Sequence, residues 1–283
     1  MNSNHVSGVA LICVSALVFS TAGIFTKGVE ADAWAIIFWR GLSAAGFTVL
    51  YTFWRGTFRN EVRQFGAPGW LVAIFGAAGT AAFIPAFKLT SIANVALIWA
   101  AAPFITALLA WLVLRERPTA KVLVSSVFAL AGVAVVVGGS VGGVNLTGDL
   151  LALWMTLMMA ALMVVYRVWP QTPAALPAAM SSLLLLPPAL AMSSPLQIAP
   201  AEILILIAFG LVFAIASVTL AEGVRRIPAA EAALLSALES PLAPLWAFLV
   251  FSAIPAVSTL IGGAIILAAV VWSQTSGPQR LKA

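Results

Sequence analysis

The chain has 283 residues, 63% of them hydrophobic and only 8% charged, with a mean hydropathy of +1.10. Soluble domains carry about 25% charged residues, so this composition excludes a water-facing surface over most of the molecule. One cysteine (Cys13) and one histidine (His5) exclude an internal disulfide framework and a His/Cys metal site, so no cofactor or metal is expected.

A bilayer core about 30 Å thick needs about 20 apolar residues per helix. Ten runs meet that need: 6–27, 33–54, 69–88, 91–114, 120–140, 149–169, 174–193, 202–224, 229–251 and 256–273. Helices are expected throughout, because lipid offers the backbone no hydrogen-bond partners. The first run is longer than the apolar core of a cleaved leader and has no basic segment before it, so it reads as a span.

The second run holds Arg40 in "IIFWRGLSAAGF". A charge at mid-helix costs about 2.5–3.5 kcal/mol on insertion scales, so the guanidinium must face protein or water. It either receives a substrate carboxylate or pairs with an acid across the molecule, or it pins helix carbonyls or snorkels to the interface.

The third run closes with Phe83, Phe87 and Lys88; the lysine reads as a headgroup-level anchor or a screen for an anionic solute. In the fourth, Pro103 follows Trp99 by four residues. A proline there removes the donor to the Trp99 carbonyl, leaving a kink and a free acceptor.

The sixth run reads "LWMTLMMAALMVVY" and contains Trp154, Met155, Met158, Met159 and Met163. Tryptophan beside flexible methionines suits a pocket for varied apolar groups, or ordinary gap filling. The seventh, with Pro173, Pro177, Pro187 and Pro188, is expected to kink or break.

The ninth run places Glu239 beside Ser240 and Pro241, with Pro244 close behind. Helical spacing aligns Ala232, Ser236, Glu239, Ala243 and Trp246 on one face, as a cavity wall or a close-packing stripe. Glu239 either exchanges a proton for substrate, pairs with Arg40, or bonds backbone freed by the prolines. Pro85, Pro103, Pro241 and Pro244 are candidate hinges.

Orientation follows from the basic residues. With the N-terminus inside, Arg55, Arg59, Arg63, Arg115, Arg117, Lys121, Arg167, Arg225, Arg226, Arg280 and Lys282 fall on the cytoplasmic side, against only Lys27 and Lys88 outside. The positive-inside rule therefore puts both termini in the cytoplasm. These clusters suit lipid headgroups and not nucleic acid.

The chain also matches itself. At an offset of 137, Lys88 meets Arg225, Ala93 meets Ala230, Leu112 meets Leu249 and Pro118 meets Pro255; at 140, Gly8 meets Gly148 and Lys27 meets Arg167. The same 137 offset maps Ser236, Glu239 and Ala243 onto Trp99, Ala102 and Thr106. Apolar bias alone also produces such matches. A five-span repeat, residues 1–140 and 141–283, enters the bilayer from opposite sides because five is odd, an arrangement of many secondary transporters.

Several segments carry a resemblance: "TSIANVALIWAAAPFITALLAWLVLRERP" across the fourth run, "IPAAEAALLSALESPLAPLWAFLVF" across the ninth, and the early arginine of the second. With ten spans in two halves, the chain resembles the drug/metabolite transporter superfamily, EamA-type, and within it the bacterial aromatic amino-acid exporters of the YddG type. One departure is that Glu116, which closes the fourth-run motif, has Ala253 as its repeat counterpart. The resemblance implies export of small metabolites across the bacterial inner membrane.

The expectation is an all-α protein of ten transmembrane helices in two inverted five-helix repeats. Its partners are a small-molecule substrate and the lipid bilayer, and a monomer suffices to enclose a cavity. Phe83, Trp99, Trp154, Met158 and Ser236 are the candidate substrate contacts, with Arg40, Lys88 and Glu239 as charge or gating groups. Two other classes stay open. A multispan enzyme acting on lipid-like substrates needs acid clusters or a nucleophile–base pair, which the sequence does not offer, and a pore needs no alternating halves.

Overall fold

The computed structural model describes residues 3–90, 92–137, 145–251 and 257–275. Ala253, Pro255, Arg280 and Lys282 lie outside the described residues, as do the side chains of Lys27 and Pro244. Secondary structure among the described residues is entirely helical. The first run is α1 (Ser3–Phe19) and α2 (Ala22–Lys27), the second α3 (Ala33–Trp54), and a short connecting helix α4 (Phe58–Gln64) leads to α5 (Gly66–Leu89). The fourth run is split into α6 (Ile92–Trp99) and α7 (Ala102–Leu114), and the fifth is α8 (Ala120–Val137). There follow α9 (Leu146–Val168), α10 (Ala175–Leu183) with α11 (Leu186–Met192), α12 (Pro200–Val224), a second split pair α13 (Ala229–Ser236) and α14 (Glu239–Phe251), and α15 (Val257–Gln274).

Local chemistry sets these ends. Asp32 accepts hydrogen bonds from the Trp34 and Ala35 amides and starts α3, and Asn145 does the same for Gly148 at the start of α9. The break between α1 and α2 falls at Ser20 and Thr21, whose hydroxyls donate back to the Leu17 and Val18 carbonyls. The expected break in the seventh run falls at Leu184–Leu185, because Pro187 and Pro188 offer no N–H to the Leu183 and Leu184 carbonyls.

Nine of the described helical segments are long and apolar enough to cross a membrane; α8 is a shorter apolar helix. Large apolar side chains such as Leu50, Leu204 and Val271 are exposed. A water-soluble protein would bury them, whereas a chain sheathed in lipid has no need to.

Helices meet where side chains are absent. A Cβ on Gly210 of α12 would lie 2.8 Å from the Ala44 amide and the Arg40 carbonyl of α3, and one on Gly262 of α15 would run into the Gly132 carbonyl of α8. Small residues allow this backbone approach. The contacts also give direction. Gly76, Gly79 and Thr90 of the α5 region meet Leu162, Met158 and Gly148 of α9 in that order, so the two run antiparallel. By the same test α1 is antiparallel to α12 through Gly8, Ile12 and Gly223, and α8 to α15 through Gly132 and Gly262.

The internal match appears in the helix bounds themselves. Adding 137 to the break between α6 and α7 (99 to 102) gives 236 to 239, the break between α13 and α14. Packing follows the same exchange: α5 rests on α9 as α12 rests on α1, and α5 on α10 as α12 on α3.

Candidate functional site

The two split runs put interrupted backbone in the middle of the molecule. At the first, the Ala101 amide donates to Ile98 and the Phe104 amide to Ala101, tight turns that cannot continue the ladder because Pro103 has no N–H. At the second, Ala237 donates to Leu234, Leu238 to Leu235 and Ser240 to Ala237, with Pro241 one residue further into its helix than Pro103. Among the described residues, no backbone donor reaches the Trp99 or Ser236 carbonyl, and the Ala102 and Glu239 amides reach no backbone acceptor. Each break thus offers one free acceptor and one free donor where lipid and packed apolar side chains would leave them unsatisfied.

The half-helices are arranged unequally. α7 packs on α13, and every residue of α13 is buried. α6 instead packs on α5, α8 and α9, and α14 on α15, α1 and α2; among the described residues these two halves share no extended contact. The pair is shut at the end holding Ala229 and Leu114 and parted at the other.

Glu239 opens α14 at this fork and is only partly exposed. No cation pairs with it among the described residues. Trp99 at the first break and Leu238 and Leu242 at the second are also half-buried, and Trp99 and Leu238 pack against one core cluster. Ser236 is buried and its hydroxyl donates to the Ala232 carbonyl at 3.1 Å, so its side chain is already engaged. Pro103 and Pro241 are buried in the first turns of α7 and α14, and Pro244 lies within α14. The expected stripe Ala232–Ser236–Glu239–Ala243–Trp246 is interrupted by the break, and its Trp246 donates to the Ser20 hydroxyl at 2.8 Å. The Thr106 hydroxyl, one turn into α7, is fully buried with no hydrogen-bond partner among the described residues.

Arg40 is only 2% exposed. Its guanidinium lies 4.2 Å from the ring centre of Phe213 and 5.4 Å from that of Phe209, both on α12, and its Nε has no hydrogen-bond partner among the described residues. Neither Glu239 nor any other described carboxylate reaches it. Aromatic faces stabilise the charge in place of an anion.

The other expected contacts separate. Met158 is buried in the α5–α9 seam against Gly79, and Phe83 meets Phe87 edge-on at 4.8 Å. Trp154 is 49% exposed on the outward stripe of α9 that also carries Leu146, Leu150 and Leu153. Lys88 is exposed at the end of α5.

Polar ties that the sequence did not reveal gather at the shut end. His5 Nε2 lies 3.1 Å from Glu231, which also accepts from the Gln274 amide at 3.0 Å, joining α1, α13 and α15. Arg167 pairs with Glu116 at 3.2 Å. Glu61 of α4 accepts the Leu176 amide at the start of α10, 2.7 Å away. Burial raises the Glu61 carboxyl above its ordinary range; the α10 amides and Arg225 oppose that shift, and Glu222 adds to it. None of these pairs is close in sequence, so no local pattern announces them.

Residues 6–138 match the EamA-like transporter family. The chain is 32% identical over 118 residues to the uncharacterized transporter YyaM of Bacillus subtilis (strain 168), a stretch covering 41% of this chain and 37% of that protein. A solved structure titled "Crystal structure of protein" aligns with a TM-score of 0.83 at 20% identity, over 95% of this chain and 98% of that one, which shows a shared fold. The chain is therefore similar to EamA-like transporters over its first half, and nearly all of it takes up a fold known from a solved structure.

Proposed function

We propose that the chain is a secondary transporter of ten transmembrane helices, built as two inverted five-helix repeats, residues 1–140 and 141–283. On this reading it exports aromatic or apolar amino acids, or similar small metabolites, across the bacterial inner membrane by alternating access, in the manner of the YddG-type exporters. The observation that carries it is the pair of broken helices whose breaks fall 137 residues apart, joined through α7 and α13 and parted between α6 and α14. Rocking one half against the other would close the parted end and open the shut one. The antiparallel course of the equivalent helices α8 and α15 supports the inversion.

The shut end carries His5, Arg167 and Arg225, on the side that the positive-inside rule assigns to the cytoplasm, so this conformation faces outward. Trp99, Ser236 and Glu239 form the floor; Phe83, which packs on the same apolar cluster as Trp99, stands beside it, and Met158 backs it from the α5–α9 seam. Pro103, Pro241 and Pro244 are the hinges. Arg40 holds α3 to α12, and Lys88 sits at headgroup level.

Uptake of labelled amino acids into proteoliposomes, with and without a pH gradient, tests the proposal. Saturable flux above that of protein-free vesicles is the expected result, and flux that follows the gradient implicates Glu239. No flux for any small solute defeats it.

A further inference from the structure

We infer that the central site selects net-cationic amines with an apolar body over zwitterionic amino acids; this rests on the transport reading above. The charges within reach decide it. The fork between the broken helices holds one carboxylate, Glu239, which is partly accessible and has no cationic partner among the described residues. The free Trp99 and Ser236 carbonyls add two acceptors, against two amide donors, those of Ala102 and Glu239.

An ammonium group presents three donors and no acceptor, so it suits a carboxylate flanked by carbonyls. A substrate carboxylate has no such receiver. Arg40 is the obvious candidate, but it is sealed at 2% exposure, with its guanidinium laid on Phe213 and Phe209. The helix start at Glu239 has its positive end answered by its own acidic side chain. In a site of low dielectric, two carboxylates near each other repel more strongly than they do in water. Trp99, Leu238 and Leu242, half-buried at the two breaks, supply apolar surface for the rest of the solute, and an indole also attracts cations.

Three probes sharing one ring separate the cases: phenethylamine, phenylalanine and phenylacetate, each measured as flux into proteoliposomes after subtraction of protein-free vesicles. We expect phenethylamine flux to exceed that of phenylalanine by about tenfold or more, the discrimination that a single unanswered charge supplies. Phenylacetate flux should be lowest. Glu239→Gln should cut phenethylamine flux by a similar factor and leave the melting curve in detergent unchanged.

Equal or greater flux of phenylalanine in the unaltered protein overturns the inference and leaves the transport reading standing. A folded Glu239→Gln protein that keeps the preference also overturns it. If that variant does not fold, the ranking of the three probes by the unaltered protein decides alone. Absence of flux for all three overturns the transport reading and this inference with it.

Discussion

Arg40 is held in an apolar interior without a counter-ion because two ring faces of α12 take that role. A desolvated cation over an aromatic face is worth about 2 kcal/mol. Lysine keeps the charge but loses the flat guanidinium that lies along the ring, and its ammonium is more strongly hydrated. Arg40→Lys should therefore lose about 1–2 kcal/mol of stability, seen as a lower melting temperature in detergent. Arg40→Met should cost less, since no carboxylate is left unpaired by the change. The sequence marked Arg40 as anomalous by its setting alone. It did not reveal Phe209 and Phe213 as the partners, because they come from another helix far along the chain. Trp154 shows the opposite limit: an aromatic beside methionines looked like pocket lining, yet it shares a stripe with the outward leucines of α9.

Helix positions were legible because apolar run length is a property of the chain itself. The expected runs at 33–54 and 202–224 correspond to α3 and α12 within a few residues. The complete breaks at 100–101 and 237–238 were only half legible: Pro103 and Pro241 announce a kink, while the packing of α7 on α13 sets how far the halves diverge. Pro103→Ala restores an N–H that can donate to the Trp99 carbonyl, and Pro241→Ala does the same for Ala237. Each change should slow hydrogen exchange around its break, and the pair together should lower flux severalfold if the kinks act as hinges. Glycines at the crossings make a second test. Gly262→Val adds bulk where the Gly132 carbonyl and the Val136 amide already crowd a Cβ, so it should cost about 1–3 kcal/mol and lower the melting temperature.

At the scale of the whole molecule, ties between the two halves decide how the shut end is held. His5 with Glu231 and Glu116 with Arg167 each join residues from different halves. Glu231→Gln combined with Glu116→Gln should expose cysteines introduced into α13 to a water-soluble thiol reagent applied from that side. Glu61 adds a pH signature. Its folded carboxyl holds a proton above its ordinary pKa of 4.5, so as pH rises through the window above 4.5 the unfolded chain releases that proton first. This site's contribution to stability is therefore full at acid pH and falls as pH rises through that window. Melting curves in detergent from pH 4 to 7 should show the fall, and Glu61→Gln should flatten it.

On the proposed inversion, the two halves have no inherent reason to prefer facing one compartment over the other. Any such preference must arise where counterparts differ. His5, Glu231 and Gln274 correspond by the 140 and 137 offsets to Asn145, Asn94 and Val137, which supply no carboxylate and no imidazole for the same tie. The idle protein should therefore rest with its histidine end sealed. Grafting an acid and a histidine onto Asn94 and Asn145 should shift that resting balance toward the other compartment without touching the solute's binding groups.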